Sequence, residues 1–211
     1  MDHTRLFEVL ERSRGLGFLG PGSVRVHVDH ATGFADGVDA PGRFLDLGSG
    51  GGVPGLVLAQ HWRRSGVVLL DSRERRCDFL AEAVRTLDLA DRVVVECVRA
   101  EEAGHRGDLR GQFDLVTARA FGPPPVTAEC GAPFLRVGGT LVVSEPPQGD
   151  AELGAAEGGA ERWPSGGLAR LGLAAGRSWV GTYRYQALEL VAPCPPQYPR
   201  PVGTPGKRPL F

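Results

Sequence analysis

Apolar residues recur along this chain in two rhythms. Between residues 2 and 14, Leu6, Phe7, Val9 and Leu10 stand among charges, the spacing of a short amphipathic helix. From residue 43 onward, short unbroken apolar runs alternate with helical periods. The runs are Arg43–Leu47, Val67–Leu70, Val93–Val95, Phe113–Val116 and Leu141–Val143, the last entered through a Gly138-Gly139 turn. Between the first two, Pro54 opens a helix over about 54–64. Between the second and third, Phe79, Ala83 and Leu87 recur at helical spacing after Ser72, a candidate cap, and Glu74. Continuous apolar strands alternating with helices predict an α/β fold around a mostly parallel sheet covered on both faces.

The remaining segments break this rhythm. Residues 15–42 read as irregular, punctuated by Gly-Pro-Gly and Pro-Gly. Residues 145–166 read as a mobile acidic loop. Leu168 to Ala175 reads as a short helix, and Ser178–Tyr183 with Ala187–Val191 as two strands forming an antiparallel edge hairpin. From Pro193 the chain is rich in proline and carries Arg200, Lys207 and Arg208 without an acid. The expected organisation is an N-terminal helix and substrate-side cap over 1–42, a nucleotide-binding unit over 43–192, and a basic tail over 193–211.

Composition narrows the classes. Lys and Arg number 24 against 25 Asp and Glu, a formal charge of −1, which argues against a globally basic nucleic-acid coat or an acidic tail. Hydrophobic residues at 42% and charged residues at 23% are the balance of a globular chain. Lys207 is the only lysine, and codon usage explains the arginine surplus better than phosphate recognition does. Cys77, Cys97, Cys130 and Cys194 form no C-x-x-C pair and read as reduced, mostly buried thiols. With no basic-then-apolar leader and no membrane-length apolar run, a cytoplasmic protein is expected.

The candidate chemistry lies after the first strand. Asp46-Leu47-Gly48-Ser49-Gly50-Gly51-Gly52 passes from strand to helix, the setting in which glycines let backbone approach a nucleotide-like cofactor. Asp71 closes the second strand, where a carboxylate can accept both hydroxyls of an adenosine ribose. Asp46, two residues ahead of the first glycine, would face a cation better than a pyrophosphate, or would cap loop amides. S-adenosylmethionine (SAM) carries an amine and a sulfonium and no phosphate, so the charge pattern favours SAM over NAD.

The stretch Phe44-Leu45-Asp46-Leu47-Gly48-Ser49-Gly50-Gly51-Gly52-Val53-Pro54-Gly55 resembles the first motif of class I SAM-dependent methyltransferases. Its Val-Pro-Gly ending is similar to the GidB/RsmG family. So are Leu70-Asp71-Ser72 with Arg75-Arg76, Arg99-Ala100-Glu101-Glu102, Phe113 to Ala120, Tyr198-Pro199-Arg200-Pro201 and Lys207-Arg208-Pro209-Leu210. The resemblance implies a Rossmann-like fold with a seven-stranded sheet, and methyl transfer from SAM to N7 of a guanine in small-subunit ribosomal RNA. It also implies cofactor-binding roles. Gly48, Gly50 and Val53 would serve the methionine side, Asp71 the ribose, and Ala100 and Glu101 the adenine. Arg119 would stand at the cofactor–substrate junction. Guanine N7 has a free lone pair, so no general base is expected, and no metal. The implied partner is ribosomal RNA or the small ribosomal subunit, with no membrane.

The resemblance is uneven. Where the family carries a lysine after the fifth strand, this chain has Glu145, followed by Pro146-Pro147. The family's N-terminal Trp-Asn element is absent. The cofactor half is retained and the substrate half has drifted, as in a divergent paralogue. His27, Asp29 and His30 lack further ligands at metal spacing. Arg63, Arg64, Arg73, Arg75 and Arg76 form a basic cluster in sequence that a solvated helix face explains equally well. The tail cations could meet RNA phosphates, while the tail's prolines argue instead, or also, for an extended strap packed over the fold. Competing readings are a methyltransferase of a small molecule or protein with the acidic loop as lid, a non-catalytic SAM-binding module, and an NAD-dependent oxidoreductase.

Overall fold

The computed structural model describes residues 3–146 and 162–211. A seven-stranded sheet runs in the order β3-β2-β1-β4-β5-β7-β6. β1 (Arg43–Leu47), β2 (Gly66–Asp71), β3 (Val93–Cys97), β4 (Phe113–Ala118) and β5 (Leu135–Glu145) are parallel. β7 (Arg184–Leu190) lies antiparallel between β5 and β6 (Leu173–Val180). This is the mostly parallel sheet with an antiparallel edge that the apolar runs predicted.

Alternate side chains of each strand point to opposite faces, which divides the core in two. Phe44, Val67 and Leu69 join one apolar cluster, while Leu45, Leu47, Val68 and Leu70 join the other. The first is covered by α1 (His3–Gly15), α2 (Val24–Thr32), α3 (Gly55–His61) and α4 (Glu74–Thr86). The second is covered by α5 (Ala100–Ala103), α6 (Pro124–Gly131) and α7 (Ser165–Ala169). In α4, Cys77, Phe79, Leu80, Ala83 and Val84 form the buried face, and Glu74 and Arg85 complement the helix dipole at its two ends. A last short helix, α8 (Thr204–Lys207), lies in the tail.

Several sequence expectations need correction. Residues 15–42 are not wholly irregular, because α2 forms there. Ser23 caps it by accepting the Val26 N–H, and Val24, His27 and Ala31 fall on one buried face. The helix expected over 168–175 ends at Ala169, and β6 begins at Leu173 after the positive-φ Gly172. Ser72 does not cap α4; the Arg73 N–H is accepted by Asp71 Oδ1 instead, at 2.9 Å. Cys77 and Cys97 are not free thiols but are joined as a disulfide, while Cys130 and Cys194 are free. The pairing was hidden in sequence because it depends on the β2–β3 register, which sets Cys97 beside Asp71, just ahead of α4.

The basic cluster also divides. Arg63 and Arg64 precede β2, whereas Arg73, Arg75 and Arg76 follow it, so one strand holds the groups about 20 Å apart at opposite edges of the sheet. Most of the acidic loop, residues 147–161, lies outside the described residues. No helix among the described residues is long and apolar enough to cross a membrane.

Candidate functional site

The chain leaves β1 toward β2 and β3 on one side and returns to β4 on the other. In open α/β sheets, ligands bind outside the carboxyl ends of the strands where the order reverses in this way. The glycine loop occupies that point. Gly48, Gly50 and Gly52 have φ of 73°, 53° and 90°, values that side chains with a Cβ rarely adopt. The Gly48 and Ser49 amides both donate to the Leu70 carbonyl at 2.9 Å, fastening the loop to the end of β2. From behind, Ser13 Oγ on α1 donates to the Gly51 carbonyl at 2.9 Å, and a Cβ on Gly51 would lie 2.5 Å from that oxygen.

A cavity of about 250 Å³ opens over this loop, between Gly48, Asp71, Arg73, Arg76, Ala100 and Glu101, with Phe121 and Cys130 along its other wall. Asp71 Oδ2 accepts the Gly50 N–H at 2.9 Å and lies 3.7 Å from the Arg76 guanidinium. Glu101 is 5% exposed, and its Oε1 accepts from Arg99 at 2.9 Å and from the Gly203 N–H of the tail at 3.1 Å. Burial works to raise its pKa, yet these donors outweigh burial and hold the carboxyl below its ordinary range. Thus Gly48, Asp71, Ala100 and Glu101 line one cavity, and Gly50 meets it through Asp71. Val53 is buried in the first core cluster. Arg99, Phe121 and Cys130 were not singled out from sequence as site residues. Arg99 and Phe121 could have been, since each lies just past the end of a parallel strand.

Asp46 does not face the cavity. It is 1% exposed, accepting from Thr117 Oγ1 at 2.9 Å and from the Gly55 N–H at 3.0 Å. Burial pushes its pKa up to about 6 despite those donors. Of the two roles read for it, capping is the one it performs.

Arg119 does not line the cavity either. It turns toward α2, where its Nη2 donates to His27 Nδ1 at 2.6 Å and His27 Nε2 donates to the Gly20 carbonyl at 3.1 Å. Beside them, His30 stacks on Tyr183 with ring centroids 3.9 Å apart, and its buried Nε2 has no hydrogen-bond partner. Burial, then the charge of Arg119, pushes the His30 pKa down to about 4. Glu145, at the carboxyl end of β5, accepts from Trp163 Nε1 at 2.7 Å and pairs with Arg162.

Of the two roles read for the tail, Arg200 takes the packed strap over contact with RNA phosphates: its guanidinium and backbone N–H are both held by Glu129, a fully buried carboxylate on α6. Among the described residues, no group of three His, Cys, Asp or Glu side chains could hold a metal ion.

Residues 27–158 match the model of the family described as GidB, rRNA small subunit methyltransferase G. A Parasynechococcus marenigrum protein named ribosomal RNA small subunit methyltransferase G is 37% identical over 79% of this chain and 66% of its own length. A Moorella thermoacetica protein of the same name is 35% identical over 80% of this chain and 69% of its own. The chain thus spans about two thirds of the length of these relatives. Among solved structures, an O-methyltransferase from Bacillus cereus in complex with SAH superposes with a TM-score of 0.64 at 18% identity. That superposition covers 88% of this chain and 90% of the other, a likeness of fold.

Proposed function

The chain belongs to the GidB family of small-subunit rRNA methyltransferases, a family dependent on SAM. From that premise we propose that it transfers the methyl group of SAM to N7 of a guanine in small-subunit ribosomal RNA. The observation that carries the reading is the convergence of the glycine loop, Asp71 and Glu101 on one cavity at the strand-order switch. Those groups suit SAM. A carboxylate preset by the Gly50 amide meets the ribose hydroxyls, and the Ala100–Glu101 turn flanks the adenine. Gly48 and Gly50 shape the methionine side, while Val53 is buried in the core. No phosphate is present in SAM to be repelled by Asp71 and Glu101.

Bound SAM supplies an electrophilic methyl group. The chain's task is to hold the guanine so that N7, the methyl carbon and the sulfur lie in line, a matter of orientation more than of side-chain chemistry. The N7 lone pair is free, so no residue need accept a proton before attack. Arg119, fixed by His27 just beyond β4, stands on the substrate side of the loop and orients the incoming nucleotide. The partner in this reading is the small ribosomal subunit or its RNA.

One observation favours a second reading. Glu145 stands at the substrate edge where the family carries a lysine, and, paired with Arg162 and Trp163, it offers a phosphate backbone none of the attraction a lysine would. A small-molecule or protein substrate would not need that attraction. Incubation of the chain with labelled SAM and small subunits from a strain lacking the family enzyme decides between them. New 7-methylguanosine by nucleoside mass spectrometry is expected. SAM binding without label in the RNA would overturn the RNA reading and leave the second.

A further inference from the structure

The basic tail is not a free appendage. Arg110 donates to the carbonyls of Cys194, Pro195 and Tyr198, and a ring nitrogen of His105 lies 2.7 Å from the Pro199 carbonyl. Beyond these anchors, Arg200 enters α6. Its backbone N–H and Nε each donate to Glu129 Oε1 at 2.8 Å, and its Nη2 donates to Oε2 at 2.6 Å. Glu129 is wholly buried, so a forked, charge-assisted contact of this kind fixes the strap's register on the fold. Three residues later the chain turns at Gly203, with φ of 78°, and its N–H points at Glu101 Oε1.

Glu101 and Asp71 are the two carboxylates of the cavity, and each is oriented by a backbone amide from elsewhere in the chain. Gly50 serves Asp71, and Gly203 serves Glu101. The neighbour of Glu129 on α6, Cys130, lines the same cavity. Arg200 is therefore tied at one end to a helix that walls the cavity and continues at the other into the turn that holds the cavity's carboxylate.

We infer that the C-terminal strap is part of the cofactor-binding machinery, with Arg200 the positioning residue: latched to Glu129, it sets the Gly203 amide that orients Glu101 toward the adenosine end of the cofactor. The inference rests on the SAM reading of the cavity. It assigns the tail a role in cofactor affinity in place of contact with RNA.

Removing Arg200 alone would strand a buried carboxylate, so the test uses two variants that do not. The double variant Arg200→Met with Glu129→Gln removes both charges while keeping volume. Arg200→Lys keeps the charge and loses the fork. Calorimetry measures the binding of SAH and of 5′-methylthioadenosine, which lacks the amino-acid end, with circular dichroism to verify the fold.

In the double variant both ligands are expected to weaken by about 10-fold, the worth of one hydrogen bond to a charged group. Arg200→Lys is expected to recover part of that loss. A folded variant of either kind that binds both ligands as the parent chain does would overturn the inference. So would a loss seen for SAH and not for methylthioadenosine. A parent chain that binds neither ligand would remove the SAM reading itself, and this inference with it.

Discussion

On the cofactor side of the sheet's carboxyl edge, each acid accepts at least one backbone amide beside its side-chain partner, Thr117 for Asp46, Arg76 for Asp71 and Arg99 for Glu101. Asp46 accepts the Gly55 amide, Asp71 accepts those of Gly50 and Arg73, and Glu101 accepts that of Gly203. On the substrate side, the polar groups are held by other side chains or by nothing. Arg119 rests on His27, Glu145 on Trp163 and Arg162, and His30 Nε2 has no partner. Short of proline, no point substitution deletes a backbone amide, so the amide contacts tie site geometry to the fold itself. Side-chain partners can be exchanged one at a time without moving a strand. The contrast gives a physical reason for a chain that keeps a family's cofactor motif while its substrate edge drifts.

That contrast can be broken or sharpened by experiment. The largest effect is expected at Asp71. Asp71→Ala removes both the ribose acceptor and the partner of the Gly50 amide, and should weaken SAH binding by about 100-fold, or about 3 kcal/mol, by calorimetry. An affinity within a few-fold of the parent's would dissolve the backbone-held site.

Gly51→Ala should cost about 2 kcal/mol of stability in chemical denaturation. Its Cβ would meet Ser13 Oγ at 2.5 Å and the Phe18 carbonyl at 2.8 Å, and a backbone atom cannot turn aside. A neutral result would mean that α1 does not brace the loop.

The smallest effect belongs to the substrate side. The His30 pKa is lowered from 6.5 to about 4, so the ring is neutral in the fold while the unfolded chain takes up a proton below about 6.5. Its contribution to stability is complete above that pH and is lost as pH falls toward 4. Discounted for partial exposure, the loss should be about 1–2 kcal/mol. In His30→Phe, which keeps an aromatic ring against Tyr183, the stability-against-pH curve should flatten over that window. An unchanged slope would assign it to other groups. His27, whose pKa is lowered by burial and then by the charge of Arg119 and so acts in the same sense, is the first to examine.

The same division separates what was legible in the sequence from what was not. The parallel strands, the glycine loop and Asp71 were readable because each depends on residues close together: an apolar run, a set of glycines, an acid ending a strand. Helix α2 was within reach, with Ser23 as cap and Val24, His27 and Ala31 on one face, but the surrounding Gly-Pro pairs obscured it. The Arg200–Glu129 latch, the Arg119–His27 contact and the Cys77–Cys97 disulfide were hidden. They join residues brought together only by tertiary packing, 71, 92 and 20 positions apart. Asp46 was misdirected for a related reason. Its place before the glycines signalled a ligand contact, yet Thr117, from a strand not adjacent in sequence, turns it inward.

A crystal structure of the chain with SAH addresses the cofactor site most directly. The ligand should lie across the glycine loop at the β1–β4 switch, its ribose hydroxyls within hydrogen-bond distance of Asp71 and its adenine beside Ala100 and Glu101. SAH bound elsewhere, for instance in the larger cavity of about 530 Å³ near Asp36, Asp114 and Arg136 at the opposite edge, would contradict the assignment.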